Sequence, residues 1–179
     1  MKGDIIIEKI AFISYDMRNA NHYKEFLRLF SNYFDEICSD NPEKNIPKHI
    51  MPKIISVVGE ETQRYKEWLY LCFKDFDLIG FSLAQIDTPD NPMCKRIGWG
   101  FIREFYVIPS HRRNGVAKQM CTFIEKKIVE NGTNNIYLTA NTNTGIPFWE
   151  AMGYNFTGKI DDKNGNRIYE KFIANKFNI

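Results

Sequence analysis

The sequence lacks the features that mark several large classes of protein. Among its 179 residues, no apolar run approaches the ~20 residues that cross a bilayer. The apolar run near the amino terminus is also too short for a signal peptide. Four cysteines are scattered without a C-x-x-C pair: Cys38, Cys72, Cys94 and Cys121. This spacing favours free thiols over a disulfide framework or a zinc site. We therefore expect a reduced, cytoplasmic protein with no membrane partner.

An excess of charge of one sign is lacking as well. The chain has 24 Lys and Arg against 22 Asp and Glu, a formal net charge of +2, which argues against a nucleic-acid partner. The three histidines, His22, His49 and His111, are isolated, and neither metal-ligand spacing nor a Ser-His-Asp order is present, so no metal is expected. The length and composition suit a single globular domain over residues 1–179.

Hydrophobic periodicity predicts a mixed α/β (α+β) fold. Strand patterns, the last of them a hairpin, occupy residues 5–14, 67–73, 76–86, 96–108, 135–140 and 154–171. Helical patterns occupy residues 19–37, 53–64, 115–130 and 147–152. The predicted order is β-α-α-β-β-β-α-β-α-β-β, with the middle strands antiparallel.

The most informative segment, residues 106–118, reads Y-V-I-P-S-H-R-R-N-G-V-A-K. A predicted strand leads into a loop with two arginines, and Gly115 then opens a helix. The first turn of a helix leaves backbone N–H groups unpaired at the positive end of the helix dipole. Gly115 and Ala117 are small enough to let a bulky phosphate approach, and Lys118 adds charge. The segment predicts a phosphate or pyrophosphate site, with a basic turn that only caps the helix as the alternative.

The spacing matches neither a Walker loop nor a G-x-G-x-x-G turn. It resembles the acetyl-CoA motif of the GNAT superfamily of N-acetyltransferases, Gln/Arg-x-x-Gly-x-Gly/Ala, which here is R-R-N-G-V-A at residues 112–117. The family's Val-x-Pro precedes it at residues 107–109. The family's next motif, a strand, a polar turn and an aromatic helix ending in Gly-Tyr, is matched by residues 136–143 and 148–154. The resemblance covers residues 96–171.

The resemblance implies a GNAT-like fold, a mostly antiparallel sheet flanked by helices, with acetyl-CoA as co-substrate. In such proteins the strand before the loop splays from the next strand, and the pantetheine arm lies in the gap. Thr142 takes the place of the family's asparagine, Asn141 and Asn143 flank it, and Asn143 is favoured. The residues implied to contact the cofactor are Phe105, Tyr106, Val107, Arg112, Arg113, Asn114, Gly115, Val116, Ala117, Lys118, Thr142, Asn143 and Trp149.

The resemblance also implies catalytic roles. An amine must lose a proton before or during its attack, and many family members carry an acid on the strand beside the thioester. Glu104 is that carboxylate here, on the face of the strand that carries Tyr106 and opposite Phe105. We expect Glu104 to act as the base or to orient a water. The alternative is an ion pair with Arg103 or Arg112.

One family position departs from the pattern. Many members carry a tyrosine four residues before the second motif's glycine, and it protonates the leaving thiolate. Trp149 stands there, and an indole N–H is no general acid at neutral pH. A thiol with a pKa near ~8.5 is already a fair leaving group, so solvent or another tyrosine could protonate it. Trp149 is then expected to pack against the pantetheine arm. A position that the family sometimes uses as a base is Tyr137 here, which is no carboxylate.

Together these features predict an acetyl-CoA-dependent N-acetyltransferase that moves an acetyl group directly to a primary amine of a small molecule or peptide. A non-catalytic acyl-CoA-binding sensor domain is the alternative. A homodimer formed by strand exchange or edge pairing is compatible with the predicted sheet. An acidic stretch could meet the amine acceptor, although a solvated helix end is the plainer interpretation: Asp35, Glu36, Asp40 and Glu43. A set of aromatic residues could line an acceptor pocket, although core packing is the plainer interpretation: Tyr65, Trp68, Tyr70 and Trp99.

Overall fold

The computed structural model describes residues 10–39, 47–91, 94–140 and 145–174. The strands in these residues are β1 (Ile10–Ser14), β2 (Trp68–Lys74), β3 (Asp77–Ile86), β4 (Gly100–Val107), β5 (Asn135–Ala140), β6 (Asn155–Ile160) and β7 (Arg167–Phe172). The helices are α1 (Ala20–Cys38), α2 (Met51–Arg64), α3 (Val116–Glu130) and α4 (Gly145–Ala151). The predicted mixed fold class and order of elements are confirmed.

The strands form one sheet in the order β1-β2-β3-β4-β5-β7-β6. Neighbouring strands run antiparallel except for β4 and β5, which are parallel. These two strands pair over only three residues, from Gly100 opposite Ile136 to Ile102 opposite Leu138. On its other side β4 stays paired with β3 as far as Val107. A gap therefore opens between β4 and β5 beyond Ile102.

Helices α1 and α2 cover one face of the sheet. Helix α1 begins where the side chain of Asn19 accepts hydrogen bonds from the backbone N–H groups of Asn21 and His22, which satisfies two of the free donors of its first turn. Its apolar stripe then recurs at spacings of three and four and is buried against the inner side chains of β2, β3 and β4. The fully buried members of that stripe are Phe26, Leu29 and Phe30.

Helix α3 covers the opposite face and runs antiparallel to β4. Its buried residues include Val116 at the start and Ile128 near the end. Gly100 makes the close approach possible, because a Cβ atom there would lie 2.4 Å from Cγ2 of Ile128. The antiparallel packing brings the first turn of α3 to the carboxyl end of β4, beside the gap.

One predicted strand begins later in the structure than its sequence pattern indicates. The strand predicted over residues 96–108 begins only at Gly100, because Asp87 accepts the backbone N–H groups of Lys95 and Arg96 and turns the chain before β4. Residues 5–9 of the first predicted strand lie outside the described residues. Cys72, Cys94 and Cys121 are free thiols, as expected. Within the described ranges, no helix has the length and apolar character to span a membrane.

Candidate active site

A cleft of about 440 Å³ lies where β4 and β5 separate. One wall comes from α1, one from the end of β4 and the loop that follows it, and one from α4. The residues that line the cleft include Tyr33, Phe105, Tyr106, Arg112, Ala117 and Trp149.

The loop between β4 and α3 has the geometry of an anion site. Gly115 has φ of +77° and Arg113 has φ of +65°, so both lie in the left-handed region. Glycine adopts this conformation without strain, whereas a side chain at Gly115 would be disfavoured by the backbone even though no atom stands within 4 Å. The turn delivers the chain into α3 with the side chain of Val116 buried, and Ala117 lines the cleft. Its first-turn N–H groups are therefore open to a ligand.

The positive side chains of this loop differ in their surroundings. Arg113 lines the cleft and is exposed, and Asn114 and Lys118, which follow it in the chain, are exposed as well. Arg112 instead holds the loop to the rest of the protein. Its Nε donates to the backbone oxygen of Val107 at 2.8 Å. The exposed pair is therefore available to an incoming anion, whereas the guanidinium of Arg112 is engaged.

Helix α1 provides the partner of Arg112. A terminal nitrogen of Arg112 donates to Oε2 of Glu36 at 2.8 Å, and the hydroxyl of Tyr106 donates to the same oxygen at 3.1 Å. Glu36 therefore connects α1 to the end of β4 and to the loop that follows it. Elsewhere in the predicted acidic stretch, Asp35 pairs with Lys48 at 3.3 Å, and Asp40 and Glu43 lie outside the described residues.

Glu104 lies on the α1 side of β4. Its carboxylate accepts a hydrogen bond from the hydroxyl of Tyr33, and neither Arg103 nor Arg112 hydrogen-bonds to it. Burial raises the pKa of Glu104, while the Tyr33 hydrogen bond and the charge of Arg103 oppose that rise. Although the residue keeps some solvent access, protein atoms surround its carboxyl group closely. The proton affinity of this carboxylate is thus higher than that of a solvated glutamate.

A β-bulge sets the direction of Glu104. The register between β3 and β4 shifts so that Leu83 faces Glu104 and Ala84 faces Ile102, which leaves Arg103 as the extra residue. The Arg103 guanidinium pairs with Glu61, in the last turn of α2, and with Glu67, which follows that helix, at 3.2 Å each. It is thereby held beside Glu104 without neutralising it directly.

Trp149 forms the wall opposite α1. It is buried, and its ring meets Phe105 edge-on with the centroids 5.0 Å apart. Phe148 and Tyr154 contact the other sides of the indole at 4.9 and 5.2 Å. As the alternation of β4 predicts, Phe105 points to this side and Glu104 to the other. Among the described residues that line the cleft, the phenolic hydroxyls belong to Tyr33 and Tyr106.

Tyr33 is the site residue that the sequence did not identify. It lies within the helical pattern of residues 19–37, which the family resemblance over residues 96–171 does not reach. Only the packing of α1 across β4 brings its hydroxyl to Glu104. Thr142 and Asn143, together with Asn141, lie outside the described residues.

The remaining candidates have structural surroundings. The hydroxyl of Tyr137 donates to the buried Asp87 at 2.6 Å, and burial together with Asp87 raises the Tyr137 pKa far above its ordinary value. Trp68 and Tyr70 lie against the core on the α3 side of the sheet, and Arg96 covers the Trp99 ring at 4.8 Å. Over the residues that the structure describes, no group of three or more His, Cys, Asp or Glu side chains could hold a metal ion.

Comparison with solved structures gives the same architecture. An acetyltransferase of the GNAT family from Staphylococcus aureus Mu50 has a TM-score of 0.68 at 15% identity, covering 93% of this chain and 100% of that one. The PaiA N-acetyltransferase from Thermoplasma acidophilum, in complex with coenzyme A, has a TM-score of 0.69 at 14% identity, over 92% and 99%. Aminoglycoside 6'-acetyltransferase type Ii has a TM-score of 0.65 at 19% identity, over 92% and 97%. At these identities the likeness shows the fold. Among the curated proteins compared, none matches the chain.

The fold and the cleft define an acetyltransferase of the GNAT type. The sequence model of the acetyltransferase (GNAT) family matches residues 16–154, and the chain belongs to this family. It is an acyltransferase of the N-acetyltransferase type, and the family's chemistry is acyl transfer that depends on acetyl-CoA.

Proposed function

We propose that the protein transfers the acetyl group of acetyl-CoA directly to a primary amine of a small molecule or peptide. The observation that carries the proposal is the gap between β4 and β5, which ends at the first turn of α3. The pantetheine arm pairs with the free backbone of β4 as an added strand would. The pyrophosphate rests on the N–H groups at the start of α3.

The cofactor-binding set extends over β4, the loop and first turn of α3, α4 and the residues that follow β5. Phe105, Tyr106 and Val107 supply backbone partners, and Trp149 packs against the pantetheine arm. Arg112 holds the loop in shape through Val107 and Glu36. The anion-binding turn consists of Arg113, Asn114, Gly115, Val116, Ala117 and Lys118. Asn143, or Thr142 beside it, makes the side-chain contact that the family's asparagine makes.

Glu104 is the base in this proposal. Bound acetyl-CoA supplies an activated thioester carbonyl, and the amine must reach it uncharged. A carboxylate whose pKa is raised by burial accepts a proton more readily than an exposed one. Glu104 therefore takes the amine proton, directly or through one water, as the new amide bond forms.

The acceptor is the least defined part of the reaction. The name of one structural neighbour, aminoglycoside 6'-acetyltransferase, describes an acceptor that carries amines, which supports including this class. The decisive experiment measures thiol release from acetyl-CoA with aminoglycosides, polyamines, amino acids and short peptides. Turnover above the hydrolysis rate with one class supports the proposal and names the acceptor. Silence across the panel with CoA binding intact favours the sensor domain.

The same proposal places the enzyme in the reduced cytoplasm, as a homodimer. Three of the four thiols are buried, which suits a compartment without disulfides.

Strand β6 ends the sheet at an exposed edge, where Phe156 and Ile160 are 43% and 54% accessible. Pairing of this edge with a second copy would cover both side chains. Sedimentation velocity tests the dimer, and charged substitutions at Phe156 and Ile160 are expected to dissociate it.

A further inference from the structure

Among the described residues, the wall of the cleft that bears Trp149 offers no acid for the leaving thiolate. The opposite wall does: Tyr33 lines the cleft and donates its hydroxyl proton toward Glu104. Glu104 accepts this hydrogen bond and keeps some solvent access, so a water can carry the amine proton to it. A single hydrogen bond therefore connects the proposed base to a tyrosine that lines the cleft.

The ring of Tyr33 is held in place by its neighbours on both sides of the helix–sheet contact. Its centroid lies 5.3 Å from that of Tyr106 and 5.5 Å from those of Phe34 and Phe81. These rings fix the phenol before any ligand binds, so that its hydroxyl has little freedom to move away from Glu104. A catalytic group that is already positioned loses little entropy when the reaction begins.

We propose that Tyr33 protonates the departing CoA thiolate and is reprotonated by Glu104. The inference rests on the proposed acetyl transfer. The amine nitrogen attacks the thioester carbon, and the C–N bond forms as Glu104 takes the amine proton. The tetrahedral intermediate then collapses, the C–S bond breaks, and sulfur receives the proton of the Tyr33 hydroxyl. The Glu104 carboxylic acid returns its proton to the phenolate oxygen. Amine and acetyl-CoA thus become amide and free CoA with no other reactant.

The electrostatic surroundings require the two transfers to be coupled. Burial first, and then the adjacent Glu104 carboxylate, raise the pKa of Tyr33 well above its ordinary value, so a free phenolate is disfavoured. Once Glu104 is protonated, its negative charge no longer repels a phenolate at Tyr33, and its carboxylic acid can supply the proton that the phenolate needs. The charged and titratable groups facing the pair are Arg103, Glu67 and the Cys38 thiol. Of these surroundings, the Glu104 carboxylate accepts the hydrogen bond of the Tyr33 hydroxyl.

The test is a double-mutant cycle with Tyr33→Phe, Glu104→Gln and the double variant. Tyr23→Phe is the matched control, because Tyr23 is a partly buried tyrosine on the same helix away from the cleft. Tyr33→Phe should lower kcat by ~10²-fold while the KM for acetyl-CoA and the affinity for CoA stay unchanged. The double variant should be little slower than the slower single variant, because each removes the same relay.

A pH profile separates the relay from a structural role. The Tyr33 hydrogen bond stabilises the Glu104 carboxylate, so its loss should move the acidic limb of kcat/KM in Tyr33→Phe to higher pH. Wild-type kcat in Tyr33→Phe, or losses that multiply in the double variant, would overturn the relay while leaving acetyl transfer intact. An absence of turnover by the wild-type protein with every amine would instead overturn the proposed function, and the relay with it.

Discussion

At the scale of single residues, opposing influences act on Glu104. Burial favours its protonated form, whereas the Tyr33 hydroxyl and the nearby Arg103 favour the carboxylate. Because burial is the largest of these, the pKa is raised, although the group keeps two stabilising partners for its charged state. Such a balance suits a base, which has to gain a proton during the reaction and lose it again afterwards.

Replacing Glu104 with glutamine keeps the size of the side chain and removes the base. We expect kcat to fall by about 10²-fold or more, since general base catalysis contributes factors of this size. In the wild-type enzyme the carboxylate is the active form, so kcat/KM should fall as the pH drops through the raised pKa. The limb should lie above the ordinary range of glutamate and disappear in Glu104→Gln. Calorimetry should show unchanged CoA affinity, and unchanged turnover would contradict the role of Glu104.

Lys171 and Glu125 form a mostly buried ion pair outside the cleft. Lys171 contacts Oε1 of Glu125 at 2.7 Å and the backbone oxygen of Met152 at 2.8 Å, with the two side chains 21% and 8% exposed. Lys171→Met would leave the Glu125 carboxylate buried and unpaired, at a cost of about 3 kcal/mol in the free energy of unfolding. Chemical denaturation measures it.

The control for this pair lies on the same helix. Lys127 pairs with Glu130 on the surface of α3 at 3.0 Å, and exposed pairs of this kind stabilise proteins little. Lys127→Met should therefore unfold close to the wild-type midpoint. An equal loss in both variants would mean that the burial of Glu125 is not what makes Lys171 necessary.

At the scale of elements, the position of the anion-binding turn depends on how closely α3 approaches β4. Gly100 lies under Ile128 near the far end of that helix, and the turn at Gly115 lies at the other end. Packing at one end of α3 therefore constrains its axis along its whole length, because a helix is stiff over 15 residues.

Gly100→Ala tests this contact. The added methyl group would overlap Cγ2 of Ile128 and should lower the free energy of unfolding by about 1–3 kcal/mol, the usual cost of overpacking. In an Ile128→Ala background the same substitution should add little further cost, because the clashing atom has been removed. Thermal or chemical denaturation of the four proteins gives the coupling energy. Equal costs in both backgrounds would contradict the contact.

Most elements were predictable because each has a strong local pattern. The stripe of α1 is set by burial of one side of the helix, and β3 is a continuous run of residues buried on both faces of the sheet. The turn at Gly115 needs a residue that tolerates positive φ. The start of β4 was not predictable from its local pattern, because the Asp87 side chain accepts hydrogen bonds from backbone N–H groups eight and nine residues away. The same holds for Tyr33 and Glu36, whose partners lie 71 and 76 residues further along the chain.

At the scale of the whole molecule, the sheet has a seam. Strands β1 to β4 and strands β5 to β7 are linked by only three residue pairs. The cleft lies along the open part of that seam, between Tyr33 on one side and Trp149 on the other. A ligand that fills it joins the two parts of the sheet and should stabilise the native state as a whole.

CoA at 100 times its Kd should raise the free energy of unfolding by about 2.7 kcal/mol. For a chain of this length we expect a rise in Tm of about 5–10 °C. Ala117→Glu should abolish the rise, because it adds negative charge beside the N–H groups of α3. Gln119→Glu, which adds the same charge at an exposed position of that helix, should keep most of it. A full shift in Ala117→Glu would contradict the anion site.

The seam also makes the chain divisible. A break in the turn after α3, near Gly132, would separate a large piece from one that retains only β5, α4, β6 and β7. The smaller piece has too little surface to bury for independent folding, so it would become ordered by docking onto the larger one. In the proposed binding mode the cofactor touches both pieces, so their reassociation would depend on its concentration. The fold of this enzyme is thus a natural starting point for a split-protein reporter of acetyl-CoA.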